Sequence, residues 1–309
     1  MNILIYGIGG VGGYFGGKLT KTNHNITFIA RGAHLEAIQK NGLQVSSFKG
    51  DFTAVPDLAT DDLNKIPTPD LVILGVKSWQ IPETIEALKL YVKPETLFLP
   101  LQNGAANAEK ILEVLPDAQV LGGLCRIVAF KDGPGKIKHP HFEPSITFGE
   151  LDGSLTERAK TIDLLFKGVE ITSNLVEDIQ VEIWKKFLFI CTISGLGGLV
   201  RVPMGKIRSS DYLFQMMRDT SQEIFNVAKA KGIGLTEKHI DSVFEAIQNQ
   251  GADVTASTQR DIMEGKPSEL DNFNGYIVRE GKRLGVPVPV NELIYECLKP
   301  MEKEARSEV

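Results

Sequence analysis

The sequence predicts an α/β fold in which a doubly wound, mostly parallel sheet is followed by an all-helical C-terminal domain. Three observations lead there: short aliphatic runs alternate with helical patterns in the first half, a glycine-rich segment follows the first run, and strand-like runs disappear after about residue 177. A chain of 309 residues is long enough for two domains. We place them at residues 1–175 and 176–309.

Composition excludes several classes of protein. The 34 Lys and Arg against 39 Asp and Glu give a net charge of −5, with both signs spread along the chain, so we expect neither a nucleic-acid partner nor a membrane-binding basic patch. A hydrophobic content of 42% with 24% charged residues is typical of a globular protein. The 3 cysteines and 5 histidines show no ligand spacing, and we therefore expect no metal.

Targeting and assembly signals are few. The N-terminus shows no signal-peptide pattern and the cysteines form no CxxC pair, so we expect a cytoplasmic protein. The longest apolar stretch, residues 187–200, contains three glycines and is shorter than the ~20 residues that a membrane span needs. We predict a buried helix there. The oligomeric state, homodimer included, is left open.

The elements follow from periodicity. Residues 11–20 and 82–91 carry helical patterns, whereas residues 42–55 and 135–149 alternate apolar with polar side chains and are predicted to be β additions to the sheet, antiparallel ones included. The strand candidates of the first half are residues 3–6, 26–30, 71–76, 96–101 and 118–122. The main helices predicted for the second half are residues 211–231, 236–248 and 272–284. Ser268 is the expected N-cap of the last, with Asp271 near the capping-box position.

The strongest local motif is a glycine-rich turn between the first strand and the first helix. It reads Gly7-Ile8-Gly9-Gly10-Val11-Gly12. The first glycine suits a tight turn, the second lets a pyrophosphate approach the backbone, and the last allows the helix to pack closely on the strand. This context predicts a Rossmann-type dinucleotide-binding domain.

Arg31 indicates which dinucleotide is bound. The second strand candidate ends in Ile29-Ala30-Arg31, where an NAD-binding unit usually has an acidic residue for the ribose 2′-hydroxyl. An arginine can instead make charge-assisted contacts with a 2′-phosphate. We therefore predict NADP(H) as the cofactor, with an exposed strand-end arginine as the alternative.

Two further strand ends offer polar side chains at the edge where open α/β sheets bind ligands. Lys77 follows the third strand candidate and suits the cofactor's phosphates or ribose, and Asn103 follows the fourth and offers a donor and an acceptor near the nicotinamide. Lys77 is equally compatible with an ordinary solvated lysine, and Asn103 with an Asn-Gly turn that binds nothing.

Two lysines precede the most apolar segment of the helical half. Lys185 and Lys186 follow Trp184, and burial against the apolar face would lower a lysine's pKa toward the range useful for acid catalysis. Snorkelling of the lysine stems explains the same pattern without any catalytic role.

Together these motifs resemble the ketopantoate reductase family (2-dehydropantoate 2-reductase) over nearly the whole chain. The matching segments, in order, are Gly7 through Gly12, Val76-Lys77-Ser78, Leu101-Gln102-Asn103-Gly104, Gly133-Pro134-Gly135, Trp184-Lys185-Lys186 and Ser268-Glu269-Leu270-Asp271 with Asn274-Gly275. The resemblance implies an N-terminal Rossmann domain, a helical domain, and an active site in the cleft between them.

The resemblance also implies roles for single residues. Lys186 is the expected catalytic lysine and proton donor, with Glu269 and Asn103 beside it, while the glycine segment, Arg31, Lys77 and Asn103 bind NADPH. Substrate contacts fall to Asn103, Lys186, Ser194, Ser257 and Glu269. Ser257 lies among other hydroxyl residues, so a one-residue slip would select a neighbour instead.

The implied reaction is the NADPH-dependent reduction of 2-dehydropantoate to pantoate, a step of pantothenate and coenzyme A biosynthesis. Ile190 and Ser194 stand four and eight residues after Lys186, where many family members have asparagine. This departure leaves open the same chemistry on another small 2-keto acid. A regulator that senses NADP(H) without turnover is a further alternative, against which the presence of Lys186 and Glu269 argues.

Overall fold

The computed structural model describes residues 1–307 and divides the chain into two compact units. The first comprises Met1–Asn103 and Asn107–Ile179, and the second comprises Gly104–Ala106 and the chain from Gln180 onward. The change from one unit to the other at Ile179 lies four residues beyond the boundary expected from the sequence pattern.

The first unit is a ten-stranded sheet with helices on both faces. Its strands are β1 (Asn2–Tyr6), β2 (Asn25–Ile29), β3 (Leu43–Ser47), β4 (Phe52–Ala54), β5 (Leu58–Thr60), β6 (Leu71–Leu74), β7 (Leu97–Pro100), β8 (Gln119–Lys131), β9 (Lys136–Glu150) and β10 (Thr172–Leu175). Its helices are α1 (Gly10–Leu19), α2 (Gly32–Asn41), α3 (Ile81–Leu88), α4 (Asn107–Val114) and α5 (Glu157–Gly168).

The sheet is parallel in its first part and mixed beyond it. The order is β4-β3-β9-β8-β7-β6-β1-β2-β5, with β10 beside β9. All pairs from β8 to β5 are parallel, whereas β9 is antiparallel to β8 and β4 is antiparallel to β3. The two predicted β additions therefore form strands, and β3 also pairs with β9 in parallel.

Alternation along the central strands divides the core between the two faces of the sheet. In β1, Ile3 and Ile5 pack with α1 and α5 on one face, whereas Leu4 and Tyr6 pack with α3 and α4 on the other. Strands buried on both faces have few polar residues, which explains the continuous aliphatic runs of the sequence. The predicted doubly wound α/β class is confirmed.

One strand end was predicted wrongly. The candidate at 118–122 stops at Gly122, but β8 continues to Lys131. A Cβ on Gly123 would lie 2.5 Å from Leu99 Cδ1 and 2.5 Å from the Pro100 carbonyl oxygen. Glycine at this position therefore marks a close approach to β7 inside the strand rather than its end.

The second unit is helical in the part of the chain described. It contains α6 (Ile179–Val200), α7 (Met204–Arg208), α8 (Asp211–Ala230), α9 (Glu237–Gln248), α10 (Ser257–Met263), a π-helical turn (Asp271–Gly275), α11 (Tyr276–Leu284) and α12 (Pro289–Ser307). The all-helical prediction for this part is confirmed, and the segment predicted as one helix over 272–284 is the π-helical turn continued by α11.

Helix α6 is longer than the sequence suggested. It spans 22 residues because the more polar residues 179–186 are helical as well, so the whole helix, unlike the stretch at 187–200 alone, is long and apolar enough to cross a membrane by length and composition. In residues 1–307 it is the single helix with that length and apolarity, and 67% of its most apolar window is buried inside the protein. Burial of this extent is what a core helix requires.

Candidate active site

Four parallel strands bring the predicted cofactor residues of the first unit to one edge of its sheet. Gly7 follows β1, Arg31 lies just beyond β2, Lys77 follows β6 and Asn103 follows β7. Because β1 lies between β2 and β6, the connections leave it in opposite directions, and this is the point where open α/β sheets bind ligands.

The glycine segment forms the expected tight turn. Gly7 has φ +98°, a conformation that side chains rarely allow, and its N–H donates to the Ile29 carbonyl at 3.2 Å. Gly9 is the N-cap residue of α1 and its carbonyl accepts the Gly13 N–H at 2.8 Å. A Cβ on Gly12 would collide with the Gly7 carbonyl oxygen. The turn and helix therefore pack as the motif predicts.

The residues present fit a dinucleotide. A Cβ built on Gly9 meets no atom within 4 Å, so the space beside this backbone is open, whereas a Cβ on Gly10 would strike the Ala129 carbonyl of β8. A cavity of about 450 Å³ adjoins this open side. It is lined by Gly7, Ile8 and Gly9 together with Arg31 and His34. This arrangement matches a backbone that a pyrophosphate approaches at a helix N-terminus.

Arg31 lies on the wall of the same cavity, at the start of α2. It is the N-cap residue of α2, it is exposed, and its side chain makes no capping hydrogen bond. The unpaired N–H groups of the first turn of α2 add positive potential beside its guanidinium. Helix α2 did not figure among the predicted elements, because its sequence opens with glycine and carries only a weak apolar stripe.

His34 connects two segments of the cavity wall through hydrogen bonds. Its Nδ1 accepts the Gly135 N–H at 2.9 Å, which places the ring proton on Nε2, and Nε2 donates to the Ile8 carbonyl at 2.9 Å. Burial lowers the pKa of His34, and the nearby positive charge of Lys131 lowers it further, against the opposing effect of the Ile8 hydrogen bond. A neutral histidine therefore links the glycine turn to the β8–β9 connection.

A second buried network joins the loops after β6 and β7. The Asn107 side chain accepts from Ser78 Oγ at 2.6 Å and donates to the Gln102 carbonyl at 2.9 Å and the Asn103 carbonyl at 3.5 Å. Lys110 Nζ also donates to Ser78 Oγ at 3.0 Å. These contacts fix the backbone that carries Asn103, whose own side chain is half-buried.

Lys77 lies outside the residues that line the cavity. Its ammonium sits 5.5 Å from the centre of the Trp79 ring, and its backbone N–H donates to Gln80 Oε1 at 3.1 Å. Its neighbours Val76 and Gln80 do line the cavity. Lys77 therefore stands at the rim of the cofactor edge.

In the helical unit, α6 carries both lysines, and each is half-buried. Lys185 forms an ion pair with Glu182 at 2.7 Å, and Lys186 is the next residue along the helix. Trp184, just before them, is buried and packs edge-on against Phe187 at 5.4 Å between ring centres. This aromatic packing fixes the turn of α6 that presents the lysines.

Glu269 is buried, with 6% of its surface exposed, and its Oε2 accepts from the Asn272 side chain at 2.8 Å. The preceding Ser268 is held firmly, because its Oγ donates to Glu302 at 2.5 Å and accepts the Leu270 N–H at 3.2 Å. The capping role predicted for Asp271 is wrong. Its carboxylate is engaged by Arg279 at 2.9 Å and by the Tyr295 hydroxyl at 2.8 Å.

The remaining substrate candidates differ in exposure. Ser194 is buried in α6, at 3% exposed, and Ile190 one turn earlier is half-buried. Ser257 is exposed at the first position of α10, whereas Thr258 beside it is buried. The Thr255 hydroxyl accepts from Arg260 at 3.2 Å.

Three residues that shape this edge of the sheet were assigned no role from the sequence, although Gly135 belongs to a segment that matches the family. His34 and Gly135 meet across 101 positions of sequence, and Lys131 reaches the same cavity from the far end of β8. No local sequence pattern predicts contacts between residues so far apart in the chain. Asn107 had a weak signal, since it is a helix-start asparagine four residues after Asn103. Among residues 1–307, no group of three His, Cys, Asp or Glu side chains is arranged to hold a metal.

Comparison with known proteins identifies the family. The profile described as "Ketopantoate reductase PanE/ApbA" matches residues 3–153, and the profile of its C-terminal part matches residues 178–302. The chain belongs to the ketopantoate reductase family. It is therefore an NADP-dependent oxidoreductase, and the family resemblance seen in the sequence is confirmed.

Individual relatives agree with the family over the full length. An uncharacterised oxidoreductase of Bacillus subtilis is 31% identical over 98% of this chain and 100% of its own, and a 2-dehydropantoate 2-reductase of Nostoc is 28% identical over 98% and 96%. A crystal structure of a ketopantoate reductase from Ralstonia eutropha superposes with a TM-score of 0.90 at 27% identity, covering 99% of this chain and all of that one.

Proposed function

We propose that this chain reduces 2-dehydropantoate to pantoate with NADPH, a step toward pantothenate and coenzyme A. The observation that carries the proposal is the cavity in which the open backbone of Gly9 and the exposed guanidinium of Arg31 meet, on a chain that matches the family in both halves. The three cysteines form no disulfide within residues 1–307, which supports a reducing cytoplasm as the place of the reaction.

The cofactor would be held by the carboxyl edge of the sheet. The backbone of the glycine turn receives the pyrophosphate, Arg31 the 2′-phosphate, Lys77 the ribose and phosphates from the rim, and Asn103 the nicotinamide side. When bound, the reduced nicotinamide supplies a hydride to carbon 2 of the keto acid. Asn107 acts only through Asn103, by fixing the loop on which Asn103 lies.

Lys186 is the proposed proton donor. As carbon 2 is reduced, the C=O π bond breaks and its electron pair moves onto the keto oxygen, so negative charge develops there. The Lys186 ammonium stabilises this charge and transfers a proton to the oxygen, which completes the hydroxyl of the product. The neutral amine then recovers a proton from water.

Glu269 and the serines would position the substrate. The Glu269 carboxylate is held by Asn272, and a carboxylate oxygen can accept a hydrogen bond from a substrate hydroxyl. Ser257, with its exposed hydroxyl, is the proposed contact on α10. Ser194 is buried in α6 and would contact the substrate only from within the wall of the site.

A second candidate is the same reaction on another small 2-keto acid. The half-buried Ile190 presents a hydrocarbon side chain where many family members present an amide. An apolar residue there favours a substrate whose corresponding part is apolar, because an unmatched polar group would lose its hydrogen bonds with water.

Replacement of Lys186 tests whether the chain is a reductase or a non-catalytic NADP(H) sensor. In Lys186→Ala we expect NADPH oxidation with the keto acid to fall by at least about 10²-fold, the scale of general acid catalysis, with NADPH affinity within twofold of the parent's. Lys185→Ala is the matched control and should retain turnover. Unchanged turnover in Lys186→Ala would refute the catalytic assignment, and tight NADPH binding without turnover in the unmodified protein would favour the sensor.

A further inference from the structure

Two cations from distant parts of the first unit line the same cavity. Arg31 enters it from the loop after β2, and Lys131 enters it from the end of β8. Both side chains are exposed, and neither pairs with a carboxylate anywhere in residues 1–307. Unpaired cations on one cavity wall create a positive potential that favours an anion with more than one negative charge.

The position of Lys131 is fixed by the strand that carries it. The Ala129 carbonyl, two residues earlier, lies so close to Gly10 that any side chain at Gly10 would collide with it. The turn after β8 is held from the other side, since the Gly135 N–H donates to His34 and a Cβ on Gly135 would lie 2.7 Å from Ala37 Cβ. The β8–β9 connection is thereby fastened to α1 and α2, and Lys131 is kept at the cavity.

The other ionisable groups of the cavity leave this positive charge in place. His34 is held neutral by burial and by the charge of Lys131, which both lower its pKa. Glu83 is the acidic residue in the lining, and it belongs to α3, as do Thr84 and Ala87. The wall built from β2, α2 and β8 therefore carries two cations and no carboxylate.

We propose that Lys131 is a second cation for the 2′-phosphate of NADP(H), acting together with Arg31, and that it helps the protein discriminate NADPH from NADH. The inference rests on the proposed placement of the cofactor. A phosphate monoester carries about −1.5 to −2 charges near neutral pH, so one guanidinium leaves it incompletely neutralised and an ammonium adds a further charge-assisted hydrogen bond.

Binding of two nucleotide fragments tests the proposal without turnover. Calorimetric titration with 2′,5′-ADP, which carries the 2′-phosphate, is compared with titration with 5′-AMP, which lacks it. In Lys131→Met we expect 2′,5′-ADP to bind about tenfold more weakly, a change of about 1.4 kcal/mol, and 5′-AMP to bind as before. Lys131→Arg should restore most of the affinity because it keeps the charge.

Lys138→Met is the matched control. Lys138 lies on β9 opposite Phe130 in the same hairpin and is exposed, but it does not line the cavity. Its removal should change the net charge equally and leave both affinities within twofold. A thermal unfolding midpoint that stays unchanged in all variants shows that the fold is intact.

Two outcomes would overturn the proposal. If Lys131→Met binds 2′,5′-ADP as tightly as the parent while Arg31→Met does not, the arginine alone forms the phosphate site and the proposed reductase function stands. If the parent binds both fragments equally, no 2′-phosphate site exists and Lys131 has no such role. Reduction of a keto acid with NADH would then show whether the reductase function survives.

Discussion

At the residue scale, the placement of Arg31 supports the preference for NADP(H). Arg31 is the N-cap residue of α2, its guanidinium lines the cavity beside Gly9, and it pairs with no acidic side chain in the described part of the chain. A 2′-phosphate would meet it there, whereas the 2′-hydroxyl of NADH offers no charge to bind. The loss of Arg31 should therefore affect the two cofactors unequally.

In Arg31→Ala we expect the dissociation constant of NADPH to rise by about tenfold or more, because a charge-assisted contact of about 1.5–3 kcal/mol is removed. The dissociation constant of NADH should change by less than threefold. Quenching of protein fluorescence or enhancement of nicotinamide fluorescence measures both. Equal losses for the two cofactors would show that Arg31 does not contact the 2′-phosphate.

The same scale shows where prediction from the sequence ends. Arg31 could be predicted because the motif fixes its distance from the glycine turn along one βαβ unit. Lys131 and His34 could not, because their contacts depend on how far β8 extends and on a turn 101 residues away. Asp271 was misjudged for a related reason, since local spacing favoured a cap while Arg279 and Tyr295 engage its carboxylate.

At the element scale, two adjacent glycines in the turn between β1 and α1 have different roles. Gly9 leaves room for a ligand, whereas Gly10 is needed for packing against β8. Gly9 faces open space, while Gly10 faces the Ala129 carbonyl at contact distance. A methyl group on Gly9 would occupy the space of a ligand. A methyl group on Gly10 would fit only if β8 moved.

Gly9→Ala should therefore leave the thermal unfolding midpoint within about 2 °C of the parent's, since substitutions that touch nothing change stability by less than about 0.5 kcal/mol. NADPH affinity should fall by at least about tenfold because the methyl group meets the pyrophosphate. Gly10→Ala, its matched partner, should lower the unfolding midpoint markedly. An unfolding midpoint lowered equally in both variants, or normal NADPH binding in Gly9→Ala, would contradict this account of the turn.

Most elements could be predicted from periodicity, and the exceptions have physical causes. The central strands and the long helices α8 and α9 follow their patterns closely. Strand β5, with three residues, is too short to carry a pattern, and β8 continues through a glycine pair that local propensity marks as a break.

At the scale of the whole molecule, one partly buried charge cluster makes stability depend on pH. Glu280 on α11 accepts hydrogen bonds from Arg283 at 2.7 Å and from Lys231 at 2.7 Å. The hydrogen bond from Arg283, and after it the one from Lys231, lower the pKa of Glu280 from 4.5 to about 2. Burial acts in the opposite direction but is outweighed. Because the pKa is lower in the folded protein, the cluster stabilises the fold fully above about pH 4.5 and loses this effect as the pH falls toward 2.

The urea concentration at the unfolding midpoint should thus decrease as the pH is lowered from 5 to 3. Glu280→Gln should make this decrease with pH less steep. Trp184 is buried in the helical unit, so its fluorescence in a Trp79→Phe background reports unfolding of that unit. Glu157→Gln, at a pair with Lys160 on the surface, is the control and should not alter the slope. A slope unchanged by Glu280→Gln would show that this cluster does not govern acid stability.

The central claim concerns the reaction of the complete chain, and one measurement tests it most directly. NADPH oxidation is followed by absorbance with 2-dehydropantoate and a panel of other small 2-keto acids, with NADH in parallel. We predict turnover with 2-dehydropantoate and NADPH that exceeds turnover with every other pair. Faster turnover of a keto acid with an apolar side chain would keep the chemistry and assign the difference to Ile190 and Ser194, whereas no oxidation with any keto acid would contradict the account.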